Sequence, residues 1–166
     1  MIYATASTAE DIARLLRSSQ ESRRDAGWDD EEKEFIKAIT PEPICIAAPR
    51  QSGKTTELLK FAEERNSHGA YTIICLSDEI QKQIIRMHWM IFNRISVADI
   101  CAKRLLGEPL GAINVMPPLM LTPTNLHLLR GSNNGRQIFV DEWNALAEDA
   151  QRTILDSGRL VAAVTS

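Results

Sequence analysis

Hydrophobic residues come in two patterns along the chain, and they alternate. Ala9, Ile12, Ala13, Leu15 and Leu16 recur at helical spacing after Ser7 and Thr8, either of which can cap a helix, with Glu10 and Asp11 favourable in its first turn. This helix should end before Gly27. A second, acidic helix is predicted from Asp29 or Asp30, with Phe35, Ile36 and Ile39 on one side, stopped by Thr40, Pro41 and Pro43. From Ile44 the pattern changes to a short apolar run, Ile44 to Ala48, then a polar loop, then a helical stretch with Leu58, Leu59, Phe61 and Ala62. The cycle repeats with a strand at Tyr71 to Leu76 and a helix carrying Ile80, Ile84, Ile85 and Met87, capped by Ser77 or Asp78.

A further helix is predicted from Val97 to Leu106, then a strand at Gln137 to Val140, a helix from Asn144 to Leu155 and a last strand at Leu160 to Val164. Between Gly107 and Arg136, a region with Pro109, Pro117, Pro118 and Pro123, no element is assigned. Alternating strands and helices predict an α/β fold with a mostly parallel sheet covered by helices on both faces. Residues 1–43 read as a short helical preface and 44–166 as the core of one compact domain. A length of 166 residues is too short for a complete two-lobed motor.

The loop after the first apolar run reads Ala48-Pro49-Arg50-Gln51-Ser52-Gly53-Lys54-Thr55, the phosphate-binding pattern G-x-x-x-x-G-K-[ST] with Ala in place of the first glycine. A strand delivers the chain to a loop whose backbone N–H groups, through Gln51, Ser52 and Gly53, surround a polyphosphate at the positive end of the next helix. Gly53 permits the close turn. Lys54, taken to stand in a solvated loop and to pack against nothing, would reach the β and γ phosphates. Thr55 would give a hydroxyl to Mg2+ and Thr56 could bond the α phosphate. The tripeptide Gly-Lys-Thr can also occur by chance in a surface loop; its place between an apolar strand and an amphipathic helix argues against that.

A second signal is Ile138-Phe139-Val140-Asp141-Glu142, a buried strand ending in two carboxylates. Asp141 is suited to hold Mg2+ through water, and Glu142 to act as general base on an attacking water. The alternative is that Asp141 caps the helix that follows. Asp78-Glu79, just past another strand, is a rival for the magnesium carboxylate and is also explained by helix capping.

Together these residues resemble the RecA-like P-loop ATPases with an additional strand and a catalytic glutamate, the group that includes helicases and the ATPase domain of phage terminase large subunits. The resemblance runs from about Ile39 to Ser166. It implies ATP as the bound nucleotide, a single strand between the Walker A and Walker B strands in sequence, and hydrolysis as the reaction. Thr72 to Ser77 followed by Ile80 to Ile84 looks like a family segment that touches nucleic acid. The Thr165-Ser166 end of the last strand would, by the same resemblance, sense the γ phosphate or couple hydrolysis to motion. Pro49 to Thr55 is similar to the terminase wording, in which Arg50 holds the place of an internal arginine finger. No glutamine for reading adenine stands upstream of the loop; Phe35 occupies that spacing.

Charge adds one partner. The net charge is −3, yet residues 80–137 hold two acids against seven bases (+5): Lys82, Arg86, Arg94, Lys103, Arg104, Arg130 and Arg136. Such a stretch can meet the phosphates of DNA, although it is also what a solvated face looks like. The resulting expectation is a magnesium-dependent ATPase domain of a DNA-translocating motor, working as a homo-oligomer or in a larger assembly. Two alternatives stand beside it, a small nucleotide-binding accessory module with little turnover and a nucleoside or nucleotide kinase. Cys45, Cys75 and Cys101 form no CxxC pair and lie away from His68, His88 and His127, so neither zinc nor a disulfide framework is indicated. A reducing cytoplasm, that of the host if the chain is viral, is the expected compartment, with no membrane partner.

Overall fold

The computed structural model describes residues 1–21, 42–66, 69–108, 115–131 and 136–166. Six strands form one sheet: β1 (Ile2–Thr5), β2 (Ile44–Ala47), β3 (Thr72–Ile74), β4 (Leu119–Leu121), β5 (Ile138–Asp141) and β6 (Leu160–Thr165). Their order across the sheet is β1-β2-β6-β5-β3-β4, and every pairing is parallel. The helices are α1 (Ala9–Glu21), α2 (Lys54–Arg65), α3 (Asp78–Phe92), α4 (Val97–Leu106), the short α5 (Leu128–Gly131) and α6 (Glu148–Asp156), with 3-10 turns at Pro123–Asn125 and Trp143–Ala145.

The α/β class and the parallel sheet agree with the sequence pattern. β2, β3, β5 and β6 are buried almost throughout, which is why each reads as an unbroken apolar run. Their side chains feed two separate core layers. Ile46, Ile73, Phe139 and Val164 meet Ile12, Leu16, Leu58, Leu59 and Ile84 from α1, α2 and α3. Cys45, Ile74, Val140 and Ala163 meet Leu126, Leu129, Trp143, Leu146 and Ile154. Phe139 is wedged edge-on between Phe61 and Tyr71, with ring centroids 6.1 and 5.7 Å away. Alternation fails at one place: Ile138 pairs with Leu160 but Phe139 with Ala162, so Val161 is an extra residue on β6.

Three expectations about organisation are corrected. The preface is not purely helical, because Ile2–Thr5 forms β1 and extends the sheet beside β2. Two strands, not one, lie between the loop strand and the carboxylate strand in sequence, because Leu119–Leu121 in the proline-rich region pairs with β3. The helix expected from Asn144 begins only at Glu148, after a 3-10 turn. The acidic helix expected from residue 29 or 30, with Phe35, lies outside the described residues. Thr8 is the side chain that caps α1, accepting from Asp11 N at 3.2 Å, and Ser77 rather than Asp78 caps α3, accepting from Ile80 N at 3.4 Å. Among the described residues no helix is long and apolar enough to cross a membrane.

Candidate phosphate-binding site

All six strands run the same way, so their carboxyl ends share one edge of the sheet, where α/β proteins commonly bind ligands. Three of these ends matter. β2 runs into the Pro49–Gly53 loop, β5 ends in Asp141-Glu142, and β6, lying between them, ends in Thr165-Ser166. Ala47 is level with Thr165 and Asp141 with Val164, so the three tips meet side by side.

The loop closes sharply onto α2. Gln51 and Gly53 have left-handed backbones, with φ of 61° and 81°, and a Cβ on Gly53 would come within 3.4 Å of Ala9 Cβ in α1. Lys54 is the first residue of α2, so the positive end of that helix faces the loop. Ser52 Oγ is buried without a hydrogen-bond partner, a donor left over for a ligand oxygen. An anion of phosphate type fits this cradle.

Lys54 departs from expectation. It does not stand free in solvated surroundings: its side chain is only 8% exposed, and Nζ lies 2.8 Å from Glu142 Oε1. The same ammonium donates to Ser166 Oγ at 3.0 Å. Burial follows from β6, which brings Ser166 over the lysine. Glu142 reaches back from a left-handed backbone of its own, φ 61° and ψ 57°, a conformation that a glutamate keeps only when its surroundings hold it there. Those surroundings are Ser166, whose backbone N–H donates to Oε2 at 2.8 Å and whose hydroxyl donates to Oε1 at 2.7 Å. Partial burial works to raise the Glu142 carboxyl, but the hydrogen bonds from Lys54 and Ser166 outweigh it, and the net shift is downward.

Asp141 is buried and accepts a hydrogen bond from Thr55 Oγ1 at 2.8 Å. It caps no helix, since α6 starts seven residues later at Glu148 with no side-chain cap. Burial pushes its carboxyl up, the Thr55 bond partly offsets this, and the neighbouring Glu142 charge adds to it. Thr55 and Asp141 bring two hard side-chain oxygens together, the kind of donors that could hold Mg2+, an ion that takes one or two protein oxygens and completes its shell with water and phosphate. No cluster of three or more His, Cys, Asp or Glu occurs among the described residues.

A raised pKa has a stability consequence. A carboxyl whose folded pKa lies above its unfolded value contributes stability that is complete below the unfolded value and is lost as pH rises through the folded one. Burying the Asp141 carboxylate is therefore a cost of the ligand-free fold. Asp141→Asn keeps an oxygen for Thr55 and removes the charge, so its Tm in chelator at pH 7 should equal or exceed the wild type by a few degrees, while any magnesium dependence of nucleotide binding weakens. A lower Tm would make the carboxylate a structural group.

Of the other expected residues, Thr56, Asp78 and Glu79 make no contact with this centre, whereas Arg50 borders it. Thr56 Oγ1 donates to Met87 Sδ at 3.4 Å and so ties α2 to α3. Asp78 and Glu79 are exposed in the first turn of α3. Arg50 is exposed at the rim of a cleft of about 570 Å3 that is also lined by Gln51, Lys54, Glu142, Asn144 and Ser166. Asn144, marked in the sequence only as a helix start, borders the same cleft, and its backbone N–H donates to Thr165 Oγ1 at 3.2 Å, joining the turn after β5 to the tip of β6. Lys82, Arg86, Arg94, Arg104 and Arg130 are exposed, and Lys103 and Arg136 are half-buried. Comparison with protein-family models, with curated proteins and with solved structures gave no match.

Proposed function

We propose that the chain is a P-loop nucleoside-triphosphatase domain of the RecA-like kind, which binds ATP with magnesium and hydrolyses it, and that it serves a DNA-translocating motor. One observation carries the reading: Lys54 and Thr55, at the start of a helix that follows a left-handed glycine, touch Glu142 and Asp141 at the end of a strand two places away. β6 lies between β2 and β5 in the sheet and sets Thr165-Ser166 between the loop and the carboxylate pair. Magnesium at Thr55 and Asp141 would neutralise phosphate charge. Lys54 then serves as the point charge on the phosphates, and Glu142, released from Lys54 and kept ionised, accepts a proton from the attacking water. Exposed basic residues on α3 and α4 support the DNA part.

The test is calorimetric titration with ATP and magnesium, followed by phosphate release with and without DNA. Saturable binding with DNA-stimulated turnover is the expected result. Tight binding without turnover would leave the accessory module, phosphate transfer to a nucleoside would indicate the kinase, and absence of binding would refute the loop assignment.

Arg50 provides a separate expectation. Exposed on the rim, it can reach a γ phosphate without being needed to hold the nucleotide. Arg50→Ala should reduce turnover more than affinity, since a charge that engages only the transition state lowers the barrier without strengthening ground-state binding. If the arginine acts within its own chain, the rate per protein stays constant on dilution. A rate that climbs with concentration would place the finger in a neighbouring subunit.

A further inference from the structure

Three groups at the site satisfy one another. Lys54 Nζ is bound to Glu142 Oε1 at 2.8 Å and to Ser166 Oγ at 3.0 Å, and Ser166 in turn grips both oxygens of Glu142, at 2.7 and 2.8 Å. An ammonium has three N–H donors, and two are committed here. A phosphate oxygen reaching Lys54 meets a carboxylate already in contact with that cation, and it is repelled by the carboxylate's charge. The contact is well shielded, with the lysine side chain 8% and the glutamate side chain 22% exposed, so water screens it little.

We infer that Lys54, Glu142 and Ser166 form a self-inhibiting clasp, in which Glu142 occupies Lys54 in place of a phosphate and Ser166 is the positioning residue that holds the carboxylate. This rests on the phosphate-binding reading of the loop. Nucleotide binding is then an exchange: Lys54 leaves Glu142 for the phosphates, and Glu142 keeps the two donors of Ser166. The same grip that closes the empty site keeps the base in place once the lysine has gone. Ser166 acts on Glu142 and need not touch phosphate.

The decisive probe is ADP with magnesium, because no hydrolysis step can tighten it by being blocked. Glu142→Gln removes the charge and should bind ADP roughly tenfold more tightly than the wild type, the scale of one shielded ion pair exchanged for a neutral contact. Ser166→Ala should bind ADP about two- to threefold more tightly, by loss of the hydroxyl's two hydrogen bonds, one accepted from Lys54 and one donated to Glu142, and should lower kcat without raising KM. Ser166→Thr keeps the hydroxyl and should restore both values, a recovery that a merely structural defect would not give. Melting curves establish that each variant is folded. If the wild type binds ADP and Glu142→Gln binds it no more tightly, the clasp is refuted and the phosphate loop stands. If neither the wild type nor any variant binds ADP, the loop reading fails and the clasp falls with it.

Discussion

Replacing Lys54 with alanine is expected to abolish nucleotide binding, weakening it by ~100-fold or more, the scale of one charge-assisted hydrogen bond lost from a shielded site. The structure adds a second effect. Lys54 is the cation bound to Glu142 and to Ser166, so its removal leaves Glu142 with the serine donors alone. Because the Glu142 carboxyl is held below its ordinary value in the folded protein, its contribution to stability is present above pH 4.5 and is lost as pH falls through the depressed folded value. The alanine variant should therefore melt below the wild type at neutral pH, with the gap closing as acid removes the Glu142 charge. Calorimetric titration with ADP and magnesium, beside melting curves at several pH values, checks both parts. Lys54→Arg separates them: it keeps a cation near Glu142, yet a planar guanidinium does not reproduce the compact ammonium in a tight loop. Binding should be lost there with most of the stability retained. Wild-type affinity in the alanine variant would end the phosphate-loop assignment.

Where the short polar motifs fall along the elements was legible in the sequence. Gly53-Lys54-Thr55 could be placed because it opens a helix after a polar loop, and Asp141-Glu142 because it ends a buried apolar strand. β2, β5 and β6 could be read because strands covered on both faces have no polar alternation to hide them. β1 could not: it sits at the sheet edge with Ile2 45% and Tyr3 68% exposed, so burial left little mark on its four residues. β4 is three residues long in a proline-rich stretch, and only its pairing with β3 makes it a strand. Strand order is a property of crossovers, which no local pattern encodes. The burial of Lys54 and the grip of Ser166 on Glu142 both depend on β6 lying between β2 and β5, so they became visible only once that order was known.

Glu142→Gln should cut turnover by ~100-fold or more, the usual range for a lost general base, while leaving triphosphate bound. Glutamine is nearly the same size and can still accept from Ser166, so the left-handed turn at this position should survive and the variant should fold. What it lacks is basicity. The native carboxyl is held below the usual range by Lys54 and Ser166, so a proton acceptor is present across the whole neutral range. The wild-type kcat/KM should accordingly show no acid limb from Glu142 above about pH 4.5, the ordinary glutamate value. Transfer of Lys54 to the phosphates removes one of those stabilising bonds and moves the Glu142 pKa upward in the bound state, toward the value of a better base. An acid limb in kcat lying at higher pH than the one in kcat/KM is the signature, since the first reports the nucleotide complex and the second the free enzyme. Single-turnover phosphate release in the glutamine variant, measured beside triphosphate binding, gives the size of the effect. A variant that hydrolyses at the native rate would mean that the water is activated elsewhere, and Glu142 would then be only the partner that keeps Lys54 occupied.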